Sequence, residues 1–114
     1  MFIFGKKKKN ISIYAPVNGK CVSIEEVPDK TFSEKMLGDG VAIIPIDGVF
    51  CSPANGKISF LSPDGHAFSI MLDNDVEILV HIGLDTYEMI KENINILKTE
   101  GSKVKVGTPC SCLR

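Results

Sequence analysis

Short apolar segments broken by glycine, proline, asparagine and aspartate run through this chain, and that rhythm constrains its fold more than any other feature. They are Ile11–Tyr14, Lys20–Ile24, Val41–Ile46, Lys57–Leu61, Phe68–Leu72, Glu77–Ile82 and Lys103–Val106. Segments of this length between turn residues read as strands, and without long alternating helices they favour an antiparallel arrangement. The expected fold is all-β: an antiparallel sandwich or barrel of short strands with one or two helical turns. A chain of 114 residues holds one such domain. The stretch Thr86–Glu100 mixes periods. Tyr87, Ile90, Ile94 and Leu97 keep helical spacing while Ile94-Asn95-Ile96 alternates, which predicts a helical turn near Thr86–Met89 followed by an extended piece.

An internal echo sharpens the fold expectation. Ala15-Pro16-Val17-Asn18-Gly19-Lys20 returns as Ser52-Pro53-Ala54-Asn55-Gly56-Lys57, 37 positions later, and each copy leads into a predicted strand. Proline fixes φ and glycine widens it, so each copy is a chain reversal placed before a core strand. The pair predicts a duplicated supersecondary unit.

Charge is nearly balanced, with 13 Lys and Arg against 14 Asp and Glu, and gives no field for gathering nucleic acid. The distribution is uneven. Lys6 to Lys9 form a block, and the rest of the chain carries nine basic against 14 acidic residues, a body of net charge about −5. Residues 1–10 read as a flexible lysine-rich tail. Its Met1-Phe2-Ile3-Phe4 tip lacks the apolar length and cleavage site of a secretory signal, so a cytoplasmic location is expected. Two readings stand for the tail: solvated disorder, or weak contact with an anionic membrane surface. No apolar run approaches the roughly 20 residues needed to span a bilayer. Cys21, Cys51, Cys110 and Cys112 lack Cys-x-x-Cys spacing. Cys21 and Cys51 sit in apolar strand contexts and are expected as small core residues.

The chain has two histidines, His66 and His81. A neutral imidazole is nucleophilic near pH 7 and accepts a phosphoryl group without a separate activating base. Phe68–Leu72 and Glu77–His81 flank a polar four-residue connection, Asp73 to Val76, of the kind that closes a hairpin. If Leu72 pairs with Glu77, Phe68 faces His81, and His66 becomes its diagonal neighbour on the same face, with Cβ atoms about 7–8 Å apart. A slip of one residue would send the rings to opposite faces.

Gly65-His66-Ala67-Phe68-Ser69-Ile70 and Glu77-Ile78-Leu79-Val80-His81-Ile82-Gly83-Leu84-Asp85-Thr86 closely resemble the two histidine motifs of the glucose-type enzyme IIA family of the sugar phosphotransferase system. The resemblance extends through Ala15-Pro16, Gly19, Val27-Pro28-Asp29, Phe32, Gly38-Asp39-Gly40, Glu100-Gly101 and Val104-Lys105-Val106-Gly107. It implies a phosphocarrier in which His81 accepts phosphate from the carrier protein HPr and passes it to a cysteine of a sugar-specific enzyme IIB, joined to a membrane-bound IIC. It implies that His66 donates a hydrogen bond to that phosphate. Family positions matching Asp29 and Asp85 flank the site, and those matching Phe32 and Leu79 form an apolar rim for a basic partner. Capping of local turns accounts equally well for Asp29 and Asp85. Family members also act as regulatory binding proteins that report sugar availability, and regulatory targets are therefore a second class of partner.

The chemistry requires no metal. Zinc accepts imidazole and oxygen ligands, so a site shared between His66, His81 and a partner's carboxylate is conceivable, but the two histidines alone leave the ion under-ligated. Other readings fit poorly, since the chain lacks the hairpin-tip lysine motif of a biotinyl or lipoyl carrier and the His-x-His pair of a related zinc peptidase. Two departures from the family stand out. Asp64 occupies a position where relatives commonly place a threonine, and an acceptor-only carboxylate there is expected to orient His66 while raising its pKa and changing transfer rates. The β domain, residues 11–114, also lacks the usual final strands, which predicts an exposed sheet edge or core surface and, in consequence, a homodimer through that C-terminal edge, strand exchange or reduced stability.

Overall fold

The computed structural model describes residues 2–4, 12–28, 33–35, 38–73, 75–83 and 94–113. Ten strands are described: β1 (Phe2–Phe4), β2 (Gly19–Ser23), β3 (Gly40–Pro45), β4 (Val49–Cys51), β5 (Gly56–Leu61), β6 (Ala67–Met71), β7 (Glu77–His81), β8 (Ile94–Ile96), β9 (Lys103–Val104) and β10 (Pro109–Leu113). Seven form one antiparallel sheet in the order β2-β3-β1-β7-β6-β5-β9, and three form a second in the order β4-β10-β8. The expected sandwich is observed. A 3-10 turn, Ile24–Glu26, supplies a helical element; the hydroxyl of Ser23 accepts the Glu25 N–H and Glu26 reaches back to the Ser23 N–H.

One core lies between the sheets. Ile58, Phe68, Ile70, Ile78 and Val80 of the large sheet meet Phe50, Ile94 and Cys110 of the small one. Along β7 the alternation is clean, with Ile78 and Val80 fully buried while Glu77, Leu79 and His81 look the other way. Strand β6 is buried on both faces over Ala67–Ile70, as a strand covered on both sides must be.

The two copies of the echo are equivalent in three dimensions. Pro16 and Pro53 are both buried, and the copies are cross-bonded reciprocally: the Tyr14 N–H donates to the Pro53 carbonyl (2.9 Å) and the Cys51 N–H to the Pro16 carbonyl (2.7 Å). Gly19 opens β2 against β3, and Gly56 opens β5 against β6. A Cβ at Gly19 would strike the carbonyl oxygen of Ile44, and one at Gly56 that of Met71. Only glycine lets the backbones approach so closely, which is why the same residue recurs.

Several expectations are corrected. Ser12 to Tyr14 are not in a strand, although Ile11–Tyr14 reads as one; the Tyr14 N–H is spent on the partner turn. Phe2–Phe4, read as part of a flexible tail, pairs as β1 between β3 and β7, so that Phe2 is the register partner of His81. Its backbone pairs on both sides; Lys6 to Lys9 lie outside the described residues. The C-terminal strand is not itself a sheet edge, because β10 pairs with β4 on one side and β8 on the other. Cys21 is exposed and Cys51 half-buried, since β2 and β4 are the end strands of their sheets, whereas Cys110 is the cysteine that enters the core. The helical turn expected near Thr86–Met89 lies outside the described residues, while Ile94–Ile96 is extended as anticipated.

Candidate functional site

The hairpin of β6 and β7 carries both histidines, and its register differs from the expected one. Met71, not Leu72, pairs with Glu77, and Ala67, not Phe68, faces His81. The connection explains the slip. The Leu72 N–H donates to the Val76 carbonyl and the Asp75 N–H to the Leu72 carbonyl, with Asp75 at φ 66°, so Leu72 is bonded to Val76 and encloses three residues rather than the four expected before Glu77. That is a tight turn followed by a left-handed residue. Strict alternation from Ala67 would then place His66 on the wrong face. It does not govern His66, which belongs to the preceding turn rather than the pleated strand.

That turn is Ser62-Pro63-Asp64-Gly65, closed by the Gly65 N–H donating to the Ser62 carbonyl (3.0 Å). Gly65 has φ +81°, and a Cβ there would lie 2.8 Å from Cγ2 of Ile94. The left-handed residue swings the His66 side chain back toward β7, while the His66 carbonyl still accepts the Ile82 N–H at 2.7 Å. The two rings consequently meet edge to face, with centroids 5.1 Å apart and planes at 86°.

Each ring is held at Nδ1. His81 Nδ1 lies 3.0 Å from the Gly83 carbonyl oxygen, which can only accept. Nδ1 must therefore carry the proton, and the neutral ring's lone pair is on Nε2. His66 Nδ1 bonds to Oδ1 of Asp64, whose Oδ1 also accepts the His66 backbone N–H (3.2 Å) and the Ser62 hydroxyl (2.9 Å). The Ser62 hydroxyl in turn accepts the Ala67 N–H at 3.0 Å. Burial by itself pushes the Asp64 carboxyl upward, but the hydrogen bonds from His66 and Ser62 outweigh it and hold the group below its ordinary value. His66 and Asp64 side chains are 22% and 23% exposed, so the site is recessed but open to a partner.

Leu79 lies two residues before His81 on the same face of β7 and packs beside Ile24, Val27 and Ala42. Asp29, Phe32 and Asp85 lie outside the described residues. Ser62 and the Gly83 carbonyl complete the site and are not singled out by the sequence reading. The Ser-Pro-Asp-Gly tetrapeptide is itself a turn signal that exposes Ser62, whereas a backbone acceptor such as Gly83 leaves no side-chain trace. Among the described residues no group of three or more His, Cys, Asp or Glu side chains is placed to hold a metal ion. No helix among them is long and apolar enough to cross a membrane.

Comparison with known proteins bears on the family and the fold. The profile of the phosphoenolpyruvate-dependent sugar phosphotransferase system EIIA 1 family matches residues 11–111. The glucose-specific EIIA component of the phosphotransferase system of Staphylococcus aureus is 44% identical over 110 residues, covering 94% of this chain and 66% of its own length. The counterpart in Staphylococcus epidermidis is 43% identical over the same span. The chain thus spans just under two thirds of the length of these relatives. Among solved structures, the glucose permease IIA from Mycoplasma capricolum superposes with a TM-score of 0.87 at 38% identity, covering 93% of this chain and 69% of its own. The chain belongs to the EIIA 1 family of the phosphoenolpyruvate-dependent sugar phosphotransferase system.

Proposed function

We propose that this chain is a histidine phosphocarrier: His81 Nε2 accepts a phosphoryl group from phospho-HPr and passes it to a cysteine of a sugar-specific enzyme IIB. The observation that carries the reading is the orientation of His81, whose Nδ1–H is committed to the Gly83 carbonyl so that the neutral ring's lone pair is on Nε2. His66 meets it edge to face at 5.1 Å and is the group that holds the transferred phosphate. Phosphoryl transfer asks mainly for positioning and charge compensation, and both rings are fixed before any partner arrives. Leu79, beside His81 on β7, offers apolar contact to the docking protein; Asp29, Phe32 and Asp85 are the further positions proposed for that surface.

The test is incubation of the chain with phosphoenolpyruvate, enzyme I and HPr, followed by transfer to enzyme IIB. The expected product is an acid-labile, base-stable phosphate on the wild-type chain, none on His81→Ala, and a His66→Ala chain that is slow both to accept label and to pass it on. Equal labelling of His81→Ala would refute the assignment.

A further inference from the structure

The carboxylate behind His66 changes what that ring can do. Asp64 Oδ1 already accepts the Ser62 hydroxyl and the His66 backbone N–H, and it bonds to His66 Nδ1 as well. An ionised carboxylate accepts and never donates, and the carboxyl here is held below its ordinary value. The proton between the two must therefore sit on Nδ1 of His66. The neutral ring then presents a lone pair, not an N–H, at Nε2. A lone pair repels a phosphoryl oxygen instead of binding it. A hydroxyl at this position would be free to donate to Nδ1 and leave Nε2–H on the neutral ring; a carboxylate is not.

Resting on the phosphocarrier reading, we infer that Asp64 is a positioning residue that fixes His66 as an Nδ1–H donor, so that His66 grips the phosphate on His81 only after taking up a second proton at Nε2. Phosphate acceptance by this chain is thereby coupled to proton uptake. As the Nε2 lone pair of His81 forms the new N–P bond, the donor's N–P bond breaks and its electron pair returns to the donor nitrogen. One proton passes from solvent to His66 Nε2, and the new N–H donates to a phosphoryl oxygen. The imidazolium lies between two negative groups, Asp64 behind and the phosphoryl group in front, which is where a cation compensates both.

Asp64, from its own turn, and His81, from β7, are ionisable groups set against His66. Strand β8 approaches the same turn with Ile94 and Ile96, which carry no charge. Protonation of His81 abolishes its nucleophile at low pH, so the coupling shows on the alkaline side.

The experiment uses the whole chain with 15N-labelled histidine in chelator-treated buffer, as wild type and as Asp64→Thr and Asp64→Asn. Ring nitrogen shifts are read before and after phosphorylation, and phosphoryl acceptance from phospho-HPr is timed from pH 6 to 9. The expected wild-type spectrum shows neutral His66 protonated at Nδ1, and both nitrogens protonated once His81 carries phosphate. Acceptance should fall about tenfold per pH unit once that second proton is lost, whereas Asp64→Thr should hold within about twofold across the alkaline range. A merely structural role for Asp64 would lower the rate by one factor at every pH. A neutral His66 protonated at Nε2 in the wild type overturns the inference, even if phosphorylation proceeds. Labelling with the same pH profile in all three chains overturns it while leaving the phosphocarrier reading intact. Absence of any phosphate on His81 removes both.

Discussion

Replacing Gly56 by alanine should damage the hairpin that presents His66, through backbone crowding alone. A Cβ at this position would sit inside 3.0 Å of the carbonyl oxygen of Met71 and 2.8 Å from Cγ2 of Ile70, on the strand paired with β5. The Ile70 methyl can shift, but the carbonyl oxygen belongs to β6 and moves only with the strand. Overpacking of this kind costs about 1–3 kcal/mol, and the alanine recovers less than about 1 kcal/mol by stiffening the unfolded chain. The expected net loss is about 2 kcal/mol in urea-induced unfolding. Gly19→Ala should cost about as much, because its Cβ would meet the Ile44 carbonyl in the same way. Gly101→Ala separates crowding from conformational strain: it has φ +90° but open space within 4 Å, so only the backbone penalty of about 1 kcal/mol applies. A Gly56→Ala loss no larger than that of Gly101→Ala would refute the close approach, and with it the equivalence of the two echoed turns.

Four further outcomes follow from the same geometry. Ile78→Ala removes a fully buried side chain from β7 and should destabilise the fold by about 2–5 kcal/mol in chemical denaturation, whereas Leu79→Ala, half-buried on the opposite face, should cost less. Asp64, lowered in the folded chain from an ordinary 3.8, contributes stability that is present above that value and lost as pH falls through the lower folded one. Asp64→Asn should therefore flatten the acid limb of a melting-temperature profile below about pH 4. Burial pushes the Cys110 thiol up to about 11, so iodoacetamide at pH 8 should modify exposed Cys21 well before Cys110, as followed by mass spectrometry of peptides.

The sequence made the strands and the site residues legible to different degrees. Segments bounded by strong turn residues, such as Lys57–Leu61 and Glu77–Ile82, are strands within a residue or two of their expected limits. Phe2–Phe4 and Val49–Cys51 are too short for periodicity to register, and they are strands only because long-range partners hold them. The histidine pairing was anticipated, yet for an incorrect register. The count of loop residues at Asp73 to Val76 could not reveal that Asp75 adopts a left-handed conformation and shortens the connection by one. The slip was harmless because Gly65 lifts His66 off the pleat, a compensation visible only when turn and strand are seen together. Asp64 was legible as a departure from the family. Its bonds to His66 depend on the Ser62–Gly65 turn bringing residues 62, 64 and 66 around one oxygen.

The most direct test of the central claim is the nitrogen–phosphorus coupling in the 15N-histidine chain after phosphorylation by enzyme I and HPr. Coupling on Nε2 of His81, with its Nδ1 still protonated against the Gly83 carbonyl, is the predicted result. Coupling on Nδ1 of His81, or on either nitrogen of His66, would contradict it.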